Sequence, residues 1–155
     1  MHSRIFQTSK EPISEDKYFD EGKYYGGFVE QVADYVMESN RDDDLDWLRR
    51  AYEGRGIEID VAAGTITIVS RLEYFKPMFE KFQNKLNQMK GLSLDAFMNT
   101  GFDVDFAIYE LTTYFSDKYS FYVDQSDYPV PFDEFVRDAK DRDVYYVGAT
   151  FDYHY

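Results

Sequence analysis

The chain has 155 residues, a length that suits one domain with its own hydrophobic core. It contains no cysteine, which excludes disulfides, thiolate nucleophiles and cysteine-ligated metals. Its formal net charge of −13 opposes binding to nucleic acid and to anionic membranes, and it attracts basic protein surfaces.

The amino-terminal residues show no pattern of a targeting signal. Residues 1–18 lack the apolar core of a signal peptide, and no apolar run approaches the ~18 residues that cross a bilayer. The lack of cysteine also disfavours a secreted scaffold. The sequence therefore predicts a cytoplasmic protein that makes no membrane contact.

The first forty residues predict a strand followed by a helix. Residues 3–9 are typical of a short strand, and Pro12 ends it. Gly26 and Gly27 are weak helix formers, so the helix is expected to begin near residue 28. Its apolar face is expected to contain Phe28, Val29, Val32, Tyr35 and Val36.

Residues 42–53 contain a cluster of aspartates and predict a second helix. Leu45, Leu48 and Tyr52 recur at i, i+3 and i+7, which is a helical stripe. Asp42 or Asp43 is expected to cap the amino terminus, where carboxylates accept hydrogen bonds from free N–H groups.

A calcium-binding loop is the alternative for the same residues. Two constrained positions of such a loop are wrong, because its glycine is replaced by Trp47 and its apolar residue by Arg49. The ligand positions alone match, and they are Asp42, Asp44, Asp46 and Glu53. The sequence therefore favours the capped helix and predicts no effect of calcium.

Residues 56–70 predict a β-hairpin. Pairing Val61 with Ile66 would place the apolar residues of both strands on one face. That register leaves Ala63 and Gly64 as a two-residue turn, a length that hairpins favour.

A strong amphipathic pattern follows the hairpin. Its apolar residues recur at steps of three and four, and they are Leu72, Phe75, Phe79, Phe82, Leu86 and Met89. Pro77 suits the first turn of a helix, so the helix is expected over 76–90 and to end at Gly91. We interpret the only basic surface of the chain as a solvated helix face, formed by Lys76, Lys81, Lys85 and Lys90.

The remaining residues predict a short helix, a longer helix, a strand, another short helix and a final strand. Thr100 and Asp103 fit a capping box ahead of the longer helix. Its apolar face is expected to contain Val104, Ile108, Leu111 and Phe115. Residues 119–125 predict a strand, and a short helix begins at Pro131. One face of the final strand is expected to carry Tyr145, Val147, Ala149, Phe151 and Tyr153.

With the short helix between the two longer helices of residues 71–115 left out, these elements give the order β-α-α-β-β-α-α-β-α-β, and no linker divides the chain. A lone hairpin is not stable by itself, so the strands are expected to join one sheet with helices packed on it. The predicted fold is a single α+β domain over residues 1–155, with a mixed or mainly antiparallel sheet of four to five strands.

Catalytic chemistry receives little support from the sequence. His2 and His154 are the only histidines and lie next to the termini, and no phosphate-loop pattern occurs. A chain with 30 acidic residues is expected to contain neighbouring carboxylates by chance, here Asp103/Asp105, Asp124/Asp127 and Asp133/Glu134. We therefore assign no catalytic residue, metal or cofactor, and a small hydrolase with paired carboxylates remains an alternative.

The acidic, tyrosine-rich carboxyl-terminal third gives the clearest functional signal. Residues 91–155 carry 13 acidic and 4 basic side chains. Tyrosines beside aspartates offer rigid contact area and a charge that steers a basic partner. The expected contact residues are Asp103, Asp105, Tyr122, Asp124, Asp127 and Tyr128. Burial of the tyrosines against the sheet or a loop is the competing interpretation.

In size, acidity and lack of catalytic groups, the chain is similar to small inhibitors that occupy nucleic-acid-binding clefts, such as antirestriction decoys and immunity proteins. That resemblance implies a protein partner with a basic surface and no direct contact with nucleic acid. The first hypothesis is therefore a non-catalytic acidic protein-binding domain, an inhibitor or decoy of a basic nucleic-acid-processing protein. The alternatives are an accessory or structural module and the small hydrolase.

Overall fold

The carboxyl-terminal strand β7 (Val144–His154) is the centre of the fold. In the computed structural model, which describes residues 1–155, one edge of β7 pairs with β1 (His2–Ser9). The other edge pairs with two shorter strands, β4 (Thr65–Ile68) near its start and β2 (Tyr35–Glu38) near its end. The predicted long final strand is therefore confirmed.

Seven strands form one mixed sheet in the order β3-β4-β7-β1-β5-β6, with β2 beside β7. The remaining strands are β3 (Ile57–Asp60), β5 (Tyr122–Asp124) and β6 (Val130–Pro131). Strands β1 and β5 are parallel, and all other pairs are antiparallel. The predicted α+β class with a mixed sheet is confirmed, but the sheet has more strands than the four to five expected.

The α-helices are α1 (Phe28–Gln31), α2 (Arg41–Tyr52), α3 (Arg71–Lys90), α4 (Leu94–Asn99), α5 (Gly101–Phe115) and α6 (Phe132–Asp138). Two short 3-10 turns, Glu15–Lys17 and Glu21–Tyr24, precede α1. The observed order is β-α-β-α-β-β-α-α-α-β-β-α-β, so the predicted order is wrong. It omits β2, one helix of the 71–115 region and β6.

Residues 35–38 form β2, where the sequence predicts a helix. The backbone N–H of Asp34 donates to the His154 carbonyl oxygen at 2.7 Å and starts the pairing with β7. Val36 is buried between exposed neighbours, which is the alternation of a strand. A helix here would leave the edge of β7 without backbone partners, so the sheet overrides the apolar spacing.

The aspartate-rich stretch forms helix α2, as predicted. Its cap is Asn40, whose side-chain oxygen accepts the backbone N–H groups of Asp42 and Asp43 at 3.0 and 3.1 Å. The predicted cap at Asp42 or Asp43 is therefore wrong, because the cap lies two or three residues earlier. The predicted apolar stripe is confirmed by the burial of Leu45, Leu48 and Tyr52.

Asp44 is a buried member of the same stretch. Its carboxylate accepts hydrogen bonds from the Arg4 guanidinium and the Ser39 hydroxyl, and it thereby ties the start of α2 to β1. Arg4 also pairs with Asp152 of β7 and lies over the Trp47 ring at 4.6 Å. The acidic stretch therefore contains a buried structural anchor and lies along a helix, not around a calcium loop.

Strands β3 and β4 form the predicted hairpin in a different register. Ile59 pairs with Ile66, whereas the sequence predicts Val61 in that place. Asp60 explains the longer turn, because its side chain accepts the Ala63 N–H at 2.9 Å. The shift is two residues, so the apolar faces remain on the same side, as predicted.

A β-bulge divides the buried side chains of β7 between the two faces of the sheet. The register between β1 and β7 shifts at Gln7, whose side-chain oxygen accepts the Ala149 N–H at 3.1 Å. A Cβ atom on Gly148 would lie 2.7 Å from that oxygen, so a larger residue here would displace the Gln7 side chain from its hydrogen bond. The predicted single apolar face is wrong, since one cluster contains Tyr145 and Val147 and the other contains Phe151 and Tyr153.

The core accordingly has two parts, one on each face of the sheet. The larger part packs α2 and α6 on the sheet and includes Phe6 and Phe132. The smaller part packs the amino-terminal segment on the sheet and includes Ile5, Tyr24 and Phe28. No residue of α5 is buried in either part, so this helix lies outside the core.

Candidate functional site

Helices α3, α4 and α5 form a helical hairpin, residues 71–115, that projects from the core. Lys85 of α3 pairs with Glu110 of α5 at 2.5 Å. Phe75 near the start of α3 shares a groove with Phe115 at the end of α5, so the two helices are antiparallel. Eleven of the nineteen exposed large apolar residues of the chain lie in this hairpin, which marks it as the candidate functional site.

Local capping explains where the hairpin begins. The Ser70 side chain accepts the Glu73 N–H at 3.2 Å, so α3 starts at Arg71 and not at residue 76 as predicted. Pro77 therefore lies inside the helix, where it lacks the N–H that would bond to the Glu73 carbonyl oxygen. Ser93 caps α4 in the same way as Ser70 caps α3, with the Ala96 N–H donating at 3.1 Å.

The outer face of α5 carries a row of three exposed rings, which we call the aromatic ladder: Phe102, Phe106 and Tyr109. They recur at i, i+4 and i+7 and therefore lie on one helical face. Successive ring centroids are 6.1 and 6.3 Å apart, and both pairs are stacked. The side chains are 78%, 50% and 58% exposed, so the ladder has no partner within the chain.

The ladder lies in a segment with one sign of charge. Residues 91–117 contain no Lys, Arg or His, and their acidic residues are Asp95, Asp103, Asp105, Glu110 and Asp117. Asp103 and Asp105 are exposed, and the helical rotation of about 100° per residue places them on opposite sides of the ladder. A row of rings between carboxylates is suited to binding an apolar surface that also carries cations.

Asp103 and Asp105 are two of the contact residues expected from the sequence, and two others are also exposed. Asp127 and Tyr128 lie in the loop between β5 and β6 and line a cavity of about 420 Å³. The Tyr128 ring lies beside Gly27 of the amino-terminal segment. The four exposed residues therefore form two pairs on different elements, and only the first pair adjoins the ladder.

Asp124 is buried, contrary to the exposure expected from the sequence. It is 0% exposed and accepts a hydrogen bond from the Lys23 ammonium group at 2.6 Å. Lys23 also donates to the Ser126 carbonyl oxygen and lies over the Phe19 ring at 3.6 Å. Asp124 therefore anchors the amino-terminal segment to β5, and a partner cannot reach it.

Tyr122 is buried for a related reason. Its ring packs edge-to-face on Phe28 and Tyr153 in the smaller part of the core. Its hydroxyl donates to the Lys118 carbonyl oxygen at 2.6 Å, and burial raises its pKa. The competing interpretation, burial of tyrosines against the second face of the sheet, is therefore correct for this residue.

The sequence interpretation missed the aromatic ladder although a signal for it was present. The predicted apolar face of α5 included Ile108 and Phe115, and both are exposed. The spacing of Phe102, Phe106 and Tyr109 forms a second apolar stripe on the same helix. A helix that has apolar stripes on opposite sides and packs mainly on α3 must leave one stripe uncovered.

A polar cleft of about 310 Å³ lies between α2, α3, the end of α5 and α6. The Tyr74 hydroxyl donates to the Asp133 carboxylate at 2.5 Å, and burial raises the pKa of that carboxyl group. Asp117 and Arg55 line the same cleft. Glu134, the neighbour that the sequence pairs with Asp133, is exposed, so that carboxylate pair does not converge.

No group of three or more His, Cys, Asp or Glu side chains that could hold a metal ion is present. None of the helices combines the length and the apolar character needed to cross a membrane. Comparisons with family models, with curated proteins and with solved structures give no match to this chain. The function of the helical hairpin is therefore inferred from its own chemistry.

Proposed function

We propose that the chain is a non-catalytic acidic protein-binding domain whose contact surface is the outer face of α5. One observation carries the proposal: the aromatic ladder is exposed within a segment that has acidic side chains and no basic ones. Rows of exposed rings reduce solubility unless a partner covers them, so an exposed ladder favours an interface.

The apolar area of this surface is in the range of a protein interface. Phe102, Phe106 and Tyr109 are each at least half exposed and together present roughly 370 Å² of ring surface, with ~200 Å² for each whole side chain. Leu94, Phe97 and Met98 of the neighbouring helix α4 are also exposed. A standard interface buries about 800 Å² per partner, of which a little over half is apolar, so the ladder would supply most of the apolar contact area.

The charge of the surface defines the partner. Asp103 and Asp105 beside the ladder favour a partner with an apolar stripe flanked by Lys or Arg, such as an amphipathic basic helix. The net charge of −13 opposes direct binding to nucleic acid and steers basic proteins toward the chain. Within this proposal, the partner is a basic nucleic-acid-processing protein that the domain inhibits, as the compositional resemblance implies.

The proposal is tested with two designed helical peptides of equal length and apolar content, one with lysines and one with glutamates on the polar face. Fluorescence anisotropy measures their binding to the wild type, to Phe106→Ala and to Tyr25→Ala. Tyr25 is an exposed ring outside the hairpin and serves as the matched control. The wild type and Tyr25→Ala are expected to bind the lysine peptide, and Phe106→Ala to bind it about tenfold more weakly.

Two outcomes contradict the proposal. Equal binding of the lysine and glutamate peptides would mean that the charge of the partner does not affect binding. Equal binding of the lysine peptide by the wild type and Phe106→Ala would mean that the aromatic ladder is not part of the contact surface. If neither peptide binds, an accessory or structural module is the better description.

A small hydrolase is the second candidate, and the polar cleft favours it. Asp133 is buried with a raised pKa, as a general acid requires, and Asp117 supplies a second carboxylate in the same cleft. Release of nitrophenol from a panel of p-nitrophenyl glycosides by the wild type, and its loss in Asp133→Asn, would support this candidate over the binding domain.

A further inference from the structure

A second apolar feature lies on a different side of the helical hairpin from the aromatic ladder. It is a groove of about 310 Å³ between α3 and the end of α5, closed by α6. Six of its seven lining residues are apolar: Phe75, Met78, Phe79, Phe82, Tyr114 and Phe115. The seventh is Arg137, so the groove contains one charge and that charge is positive.

Arg137 is fixed in position by the groove itself. Its guanidinium lies over the Phe115 ring at 4.3 Å and over the Phe75 ring at 5.2 Å. One terminal nitrogen donates to the Phe115 carbonyl oxygen, and the guanidinium forms no other hydrogen bond within the protein. Asp133, one helical turn earlier on α6, accepts the Tyr74 hydroxyl and makes no ion pair with Arg137. The remaining N–H donors of Arg137 are therefore free for a ligand.

We propose that this groove binds a free medium-chain fatty acid, with its carboxylate on Arg137 and its alkyl chain along the rings. The volume is at the lower end of the range for small-molecule sites. A neutral apolar ligand would leave the donors of Arg137 unpaired, and a cation would be repelled by it. An anionic head with an apolar tail satisfies both parts of the groove.

Isothermal titration calorimetry with decanoate and with decanol, both below their aggregation limits, tests the proposal. The wild type is expected to bind decanoate about tenfold more tightly than decanol, because the carboxylate forms charge-assisted hydrogen bonds. Arg137→Gln should abolish that preference. Arg49→Gln, an exposed arginine on α2, is the matched control and should retain it.

Arg137 also supports the end of α5, so a second variant keeps the test independent of folding. Phe79 is exposed at the groove, and Phe79→Glu places a negative charge there without disturbing the core. It should weaken decanoate binding much more than decanol binding. Phe106→Ala, on the outer face, should leave decanoate binding unchanged, which separates this site from the proposed protein-binding surface.

The proposal is overturned if the wild type binds decanoate no more tightly than decanol. It is also overturned if Arg137→Gln and Phe79→Glu both retain wild-type affinity for decanoate. Loss of decanoate binding in Phe106→Ala alone would place the ligand on the aromatic ladder and would contradict the groove as the binding site.

Discussion

At the residue scale, buried carboxylates were the hardest feature to predict. Asp124 and Asp44 resemble every other aspartate in the sequence, and both are buried because of cations that are distant along the chain. Lys23 is 101 positions from Asp124, and Arg4 is 40 positions from Asp44. Local spacing contains no information about such pairs, so the expectation that Asp124 is exposed was wrong.

The Lys23–Asp124 pair gives the first prediction. Lys23→Ala should lower the free energy of unfolding by about 3 kcal/mol, because it leaves a buried carboxylate without its cation. Urea denaturation at neutral pH measures the effect. Lys17→Ala removes an exposed lysine from the same segment and should be close to neutral. A similar small effect for both variants would mean that Asp124 does not depend on Lys23.

Asp133 gives a prediction about pH. Burial raises the pKa of its carboxyl group in the folded state, so the folded protein takes up this proton more readily than the unfolded chain. The associated stability is complete below the unfolded pKa and is lost as the pH rises through the folded pKa. Asp133→Asn keeps a neutral side chain at every pH. The substitution should therefore lower the free energy of unfolding, measured by urea denaturation, more at pH 5 than at pH 8. A larger loss at pH 8 would contradict the raised pKa of Asp133.

At the element scale, helices with one apolar stripe could be predicted and segments that depend on the sheet could not. The apolar stripe of α2 and the two strands of the β-hairpin, β3 and β4, follow from periodicity alone. Strand β2 and the two-residue strand β6 form because neighbouring strands offer backbone partners, and the sequence pattern does not show those partners. The predicted register of β3 and β4 was wrong for a similar reason, since the Asp60 side chain selects a longer turn.

The contrast between α2 and α3 gives the third prediction. Leu48→Ala should cost about 2–5 kcal/mol, since Leu48 is 0% exposed in the larger part of the core. Leu72→Ala, on the predicted stripe of α3, should be nearly neutral because Leu72 is 76% exposed. Thermal or urea denaturation of both variants provides the comparison. A cost for Leu72→Ala equal to that for Leu48→Ala would mean that Leu72 is packed against the rest of the molecule.

At the scale of the whole molecule, the α+β class and the joining of all strands in one sheet followed from the sequence. The division of the core between two faces did not, because it depends on the bulge at Gly148 and on contacts from the amino-terminal segment. The candidate site was predicted in part. Asp103 and Asp105 were identified from charge, and the adjoining rings of the aromatic ladder were not.

The net charge of −13 gives a prediction for the kinetics of binding. Association with the lysine peptide should slow by about tenfold or more between 0.05 and 0.5 M salt, because screening shortens the range of the field that steers the encounter. Dissociation should change much less, since the rings maintain the contact. Stopped-flow fluorescence separates the two rates. An association rate independent of salt would mean that electrostatic steering does not contribute to binding.

The most direct test of the central claim is a reversal of charge beside the aromatic ladder. Asp103→Lys combined with Asp105→Lys leaves the rings in place and changes the sign of the charge around them. If the outer face of α5 is the protein-binding surface, this variant should lose affinity for the lysine peptide and gain affinity for the glutamate peptide. If the variant keeps the wild-type preference for the lysine peptide, partner binding does not take place at the ladder and the proposed function is wrong.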